Sequence, residues 1–209
     1  MPLYKTIKPN KHTTVYVWKI EASFDELSEH IELTENSENR MLSMKSEIHR
    51  RGFLSIRHLL KEAGYTDCDL FYNSNGKPHL KDGKHISITH SFTFSAIIVS
   101  NKEAGIDIEK NREKIKIIQH KFVNFERGFI HKDDDYIEQL TVIWGAKESL
   151  YKIYPYGGLT FKNNIDINSF QIANKKTTGY IKVEGWNKNY DIRFEQIDGF
   201  TLVYALLDK

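Results

Sequence analysis

Three carboxylates and a set of cations stand at spacings that suit phosphate chemistry. In Gly105-Ile106-Asp107-Ile108-Glu109, isoleucines and carboxylates alternate. Side chains of a strand alternate between faces, so Ile106 and Ile108 can bury while Asp107 and Glu109 project together. Farther on, Trp144-Gly145-Ala146-Lys147-Glu148-Ser149-Leu150-Tyr151-Lys152 has helical spacing. Trp144, Glu148 and Tyr151 fall on one face, with Lys152 one turn beyond Glu148. If strand and helix meet, Asp107, Glu109 and Glu148 make an all-oxygen ligand set, which favours Mg²⁺ or Mn²⁺ over zinc. Mg²⁺ completes its shell with waters and substrate phosphates, so a pyrophosphate-containing substrate is implied. Lys77, His90, Lys147 and Lys152, with the Thr89 and Ser91 hydroxyls, are the donors at hand to neutralise it. Singly, each motif is also what a solvated strand face or an ordinary helix looks like; the ordered set is what points to chemistry.

The elements that must position these residues are read from periodicity and punctuation. Val15–Ile20 reads as a first strand, and Ser23-Phe24-Asp25-Glu26 as a capping box opening a short helix. From about Glu38 to Ala63 the pattern is helical, with Ile48, Phe53, Ile56, Leu59 and Leu60 for one buried side and Gly64 as the stop. Arg50, Arg51 and Arg57 ride on that helix and read as a solvated face. Asn73 to Leu80 is turn chemistry: Asn75-Gly76 supplies positive φ, Pro78 stiffens the residues after it, and Lys77 is displayed on the loop. Ile86–Ser91 and Phe94–Ser100 read as strands. Asn101–Ala104 reads as a hairpin loop returning into Gly105, which would bring Thr89, His90 and Ser91 near the start of the carboxylate strand.

After Lys110 the spacing predicts a helix over Glu113–Asn124 and an irregular stretch over Phe125–His131. Asp133-Asp134-Asp135 suits a helix N-terminus, where carboxylates oppose the macrodipole, and that helix runs through Ile137, Leu140 and Trp144 to Lys152, stopping before Pro155. Runs over 166–173, 177–184, 190–197 and 200–206 read as an antiparallel meander. The lobe boundary falls in the region 97–104, dividing the chain into 1–100 and 101–209.

Composition bounds the rest. The chain has 209 residues, 40% of them hydrophobic, and no apolar run long enough for a bilayer. Its start lacks a signal peptide's apolar stretch, and the lone cysteine, Cys68, forms neither an intrachain disulfide nor a thiolate metal site. Both readings suit a cytoplasmic protein without a membrane partner. A formal charge of +2 gives no argument for nucleic acid, while leaving room for a local basic patch that meets an acidic partner.

In order and spacing, Gly76-Lys77-Pro78, Thr89-His90-Ser91, Gly105-Ile106-Asp107-Ile108-Glu109 and Trp144-x-x-Lys147-Glu148-Ser149-x-x-Lys152 resemble the motifs of the 4′-phosphopantetheinyl transferases. The likeness is to the longer, single-chain (surfactin-synthetase-activating) type, and its motifs span residues 76–152. It implies an α+β fold of two similar α/β lobes in pseudo-twofold arrangement, with coenzyme A in the cleft between them. It further implies that Asp107, Glu109 and Glu148 hold Mg²⁺ against the pyrophosphate and that Lys152 contacts that group. Lys77, Pro78, Thr89 and His90 would bind the nucleotide phosphates, His90 at the 3′-phosphate, assisted by Arg50 or Arg51. The implied reaction moves phosphopantetheine from coenzyme A to a serine of an apo acyl or peptidyl carrier protein, with Glu148 and Lys152 as catalytic residues. Three departures stand out: Thr89 where the family has Ser, Ser87 where Asn is common, and Ile153-Tyr154-Pro155-Tyr156 where it is more polar. A catalytically idle coenzyme A-binding module and another Mg²⁺-dependent pyrophosphate-cleaving enzyme are the alternative readings.

Overall fold

The strand Phe94–Ser100 (β6) is mostly apolar and buried at every position, its two serines, Ser95 and Ser100, being hydrogen-bonded through their hydroxyls. In the computed structural model, which describes residues 3–133, 135–186 and 188–208, it is flanked on both sides. Thr13–Lys19 (β2) pairs along one edge and His85–Ser91 (β5) along the other, giving the antiparallel order β1-β2-β6-β5, where β1 is Leu3–Asn10. Asp134, assigned above to a helix N-terminus, lies outside the described residues, as do Met1, Pro2, Asn187 and Lys209.

With both edges of β6 taken, the hairpin expected through Asn101–Ala104 does not form. The carboxylate strand, Ala104–Lys110 (β7), pairs instead with Phe200–Leu207 (β11) in a second antiparallel sheet of order β7-β11-β10-β9-β8. Here β8 is Ile165–Ile167, β9 Lys176–Ile181 and β10 Asn189–Ile197. The strand expected over 166–173 is thus cut to β8; a turn at Ile172–Asn174 comes next, and Lys175 adopts left-handed backbone at φ 53°. The chain divides into two compact units, Met1–Asn101 and Lys102–Lys209.

In the first unit the expected capping box forms around Phe24–Ser28 (α1). The Ser23 N–H donates to Glu26 Oε2 at 2.8 Å, and the Glu26 N–H to Ser23 Oγ at 3.3 Å. The long helix predicted from Glu38 is two helices, Glu35–Leu42 (α2) and Glu47–Glu62 (α3). At the join Ser43 competes for a backbone group, its Oγ donating to the Arg40 carbonyl at 2.7 Å, and Ser46 is extended at φ −97°, ψ 128°. Phe53, Ile56, Leu59 and Leu60 enter the core as the periodicity requires. Ile48, in the first turn of α3, is 50% exposed and does not join them. Nor is Arg57 on a solvated face. It is buried, 2.9 Å from Asp67, with its guanidinium 3.5 Å over the Phe53 ring.

In the second unit the helix predicted over 113–124 is short, Lys114–Ile118 (α4), continuing as a single tighter turn through Gln119–Lys121. The next helix, Tyr136–Ile153 (α5), lies on β7 and β11, and Phe161–Asn164 (α6) leads into β8. Two glycines set how closely α5 sits. A methyl group on Gly105 would overlap the Ser149 carbonyl oxygen, and one on Gly145 would stand 2.8 Å from Val203 Cγ2. Ser149 fastens the contact, its hydroxyl donating to the Gly145 carbonyl at 2.7 Å and reaching that of Val203 at 3.3 Å. No described helix is long and apolar enough to cross a membrane.

Candidate active site

The alternation in β7 sorts its side chains as expected. Ile106 and Ile108 are buried on one face, while Asp107, opposite Val203, and Glu109, opposite Thr201, share the other. That face is the one α5 covers, since a methyl on Gly145 would come within 3.6 Å of Asp107 Oδ2. Lys152, on the last turn of α5, closes the strand-to-helix contact: its ammonium lies 2.9 Å from Asp107 Oδ1 and donates to the Ile106 carbonyl at 2.9 Å.

Glu148, one turn back, is half-buried beside these groups. Burial raises its carboxyl to about 7; Asp107 and Glu109 push the same way and Lys152 opposes them. So in the second unit Asp107, Glu109 and Lys152 all act electrostatically on Glu148, and Lys152 pairs with Asp107. A hard divalent cation suits such a donor set, because its charge would offset both the burial and the carboxylate repulsion that raise Glu148. Among the described residues, however, no three acidic or metal-binding side chains are gathered into a coordination sphere.

Lys147 departs from expectation. Sequence grouped it with the phosphate donors, yet its side chain is fully buried against Glu126, at 2.7 Å, and donates to the carbonyls of Phe122 and Phe161. Burial lowers its pKa and Glu126 pushes it back up. Its spacing was the available signal: Lys147 lies four residues from Ile143 and three from Leu150, both buried, on a different stripe of the helix from Glu148. Glu126 was missed altogether, since a carboxylate in a segment without periodicity gives no sign of being buried.

The other predicted residues belong to the first unit. Lys77 ends the turn between Leu70–Tyr72 (β3) and Pro78–Leu80 (β4), and Pro78 opens β4. Asn73 builds the turn, its side-chain oxygen accepting from the N–H groups of Asn75 and Lys77 at 3.0 Å each, while Gly76 takes φ +75°. Thr89 is buried in β5 and His90 is exposed. The His90 ring lies against α3 at Gly52, where a methyl group would stand 3.1 Å from Nδ1, and the His49 ring centroid is 6.3 Å away. Gly52 was not singled out in the sequence, where a glycine in mid-helix reads as a weakness rather than a seat for a ring. Arg50 donates to the Met44 carbonyl at 3.0 Å and Arg51 to that of Ile20 at 3.1 Å. Both are half-buried guanidiniums tying α3 to neighbouring loops.

No curated protein matches the chain. Residues 103–205, which hold β7, α5 and the whole carboxylate cluster, match the family model of the 4′-phosphopantetheinyl transferase superfamily.

Proposed function

We propose that this protein transfers 4′-phosphopantetheine from coenzyme A to a serine of an apo acyl or peptidyl carrier protein, releasing 3′,5′-ADP, as a cytoplasmic enzyme of the longer single-chain type. The observation that carries the reading is the cluster of Asp107, Glu109, Glu148 and Lys152, with Glu148 raised to about 7, lying within the family-matched stretch.

In this reading Asp107, Glu109 and Glu148 would hold Mg²⁺, with Mn²⁺ as a substitute, and the ion when bound neutralises pyrophosphate charge. Lys152 uses two ammonium hydrogens on Asp107 and the Ile106 carbonyl, which leaves a third for a substrate oxygen and fixes its direction. The serine hydroxyl attacks the β-phosphorus. A new P–O bond forms, the bond from that phosphorus to the bridging oxygen breaks, and the nucleotide leaves with the oxygen. Glu148, whose carboxyl is raised by burial to about 7 in the metal-free protein, accepts the serine proton. Lys77, Pro78, Thr89 and His90, with Arg50 or Arg51, are assigned to the nucleotide phosphates.

The carrier is acidic in this proposal. Its dock is an open groove of about 480 Å³ beside α5, floored by the buried Val123 and Tyr136, where Ile117 and Ile130 supply apolar surface and Lys116 and Arg127 supply charge. Incubation with coenzyme A, Mg²⁺ and an apo carrier, then intact-mass spectrometry, should show the carrier gaining phosphopantetheine. Coenzyme A consumption with no mass gain on acyl or peptidyl carriers would indicate a pyrophosphate-cleaving enzyme instead. Coenzyme A binding without consumption would indicate an idle binding module.

A further inference from the structure

The buried pair behind Glu148 has no part in the proposed chemistry, yet it is built with unusual completeness. Lys147 and Glu126 are each 0% exposed at the side chain. The ammonium has three partners: Glu126 Oε1 at 2.7 Å, the Phe122 carbonyl at 2.7 Å and the Phe161 carbonyl at 3.0 Å. A lysine has three donors, so none is left over. Glu126 accepts from the Ile167 N–H at 3.1 Å and from the Asn124 N–H at 3.2 Å. One charge pair therefore joins α5, the segment 122–126, Phe161 at the start of α6 and the strand β8.

An apolar pair of similar volume would hold these segments together as well or better, because desolvating two charges offsets most of their attraction. What the charged pair adds is direction, through bonds to named carbonyl and N–H groups. The segment it grips has little of its own to hold its shape: α4 is 5 residues long and the two tighter turns after it are 3 and 4 residues long. Helical pieces of that length are not stable alone. The same segment displays Ile117, 71% exposed, and Phe125, 48% exposed. The aromatic rings of the gripped residues continue toward the catalytic helix: Phe122 and Phe161 each lie 5.2 Å from Trp144, and Phe161 lies 5.6 Å from Tyr151.

We propose that Lys147 and Glu126 are positioning residues for the carrier protein, holding the segment 114–130 in register with the helix that bears Glu148. A carrier seated on that segment then presents its serine to the carboxylates. The inference rests on the transfer reaction and groove proposed above, and it separates two neighbours on one helix: Glu148 serves the chemistry and Lys147 serves the partner.

The test is the double variant Lys147→Met/Glu126→Leu, which removes both charges and keeps the volume. It should remain folded by circular dichroism and bind coenzyme A with Mg²⁺ within about twofold of wild type by calorimetry, while its KM for the apo carrier rises about tenfold and kcat changes less than about threefold. A folded double variant with the wild-type carrier KM overturns the inference, as does one whose loss lies in coenzyme A affinity. If the double variant does not fold, Glu126→Gln decides: a raised carrier KM at unchanged coenzyme A affinity supports positioning, and an unchanged KM overturns it. Failure of the underlying reading looks different, because then wild-type protein modifies no carrier at all.

Discussion

Glu148 sets two quantities against each other. Its folded pKa, about 7, stands above the ordinary 4.5, so ionising it costs the fold stability. That cost is absent below the ordinary value and complete above the raised one. Glu148→Gln should therefore raise the melting temperature of metal-free protein at pH 8, with a smaller gain at pH 5, and should abolish transfer; equal melting temperatures at pH 8 would refute the buried-charge account. For the wild type, transfer should fall as pH drops below about 7 at limiting Mg²⁺, and the midpoint should move to lower pH as Mg²⁺ rises, since metal and proton compete for the same oxygens. A profile flat from pH 6 to 8 would count against Glu148 as base or ligand. Asp107→Ala removes the partner that aims Lys152, and it too should abolish transfer while leaving a folded protein.

At the scale of elements, the site depends on how closely α5 lies on β7. Gly105 and Gly145 permit that approach, and the Ser149 hydroxyl fixes it. Gly105→Ala forces the helix away from the strand, which should cost about 3 kcal/mol, the upper end for overpacking. Urea titration measures it, and a midpoint equal to wild type would mean that the helix accommodates the methyl group by sliding. Transfer should fall further than stability does, because a shift of about 1 Å between Asp107 and Glu148 suffices to spoil a catalytic arrangement. In the first unit the capping box closes the start of α1, and the Arg57–Asp67 pair ties α3 to the start of α2 through Thr34 and Ser37.

For the whole molecule, each unit contains a buried ion pair, and the one in the first unit responds to acid. Burial alone would raise Asp67, but hydrogen bonds from the Thr34 N–H and from the Ser37 and Thr34 hydroxyls, together with Arg57, outweigh it and hold the carboxyl below its ordinary value. A depressed carboxylate contributes stability above its unfolded pKa and loses it as pH falls through the folded one, so the first unit should lose stability as pH drops below about 4, seen as a falling melting temperature. Arg57→Met leaves Asp67 buried without its partner and should cost about 3–5 kcal/mol in chemical denaturation. Net charge is too small to steer a carrier by itself, so electrostatic docking must come from the groove's local cations. The carrier KM should then rise with ionic strength, and a KM constant from low to physiological salt would exclude an electrostatic dock.

Amino-acid order alone determined the chemistry-bearing strand and helix, because both signals are local. Alternation placed Ile106 and Ile108 inward and Asp107 and Glu109 together, and spacing put Glu148 and Lys152 one turn apart. The capping box at Ser23 and the Asn73 turn were legible for the same reason, as each is closed by groups within four residues. Strand partnership was not local. The carboxylate strand found β11, about a hundred residues away, because β6 was already paired on both edges. Nor could periodicity tell which charges are buried. Arg57 read as a surface cation and Lys147 as a phosphate donor until distant carboxylates, Asp67 and Glu126, supplied their partners. Burial of a charge is decided by what arrives opposite it, and only the tertiary structure decides that.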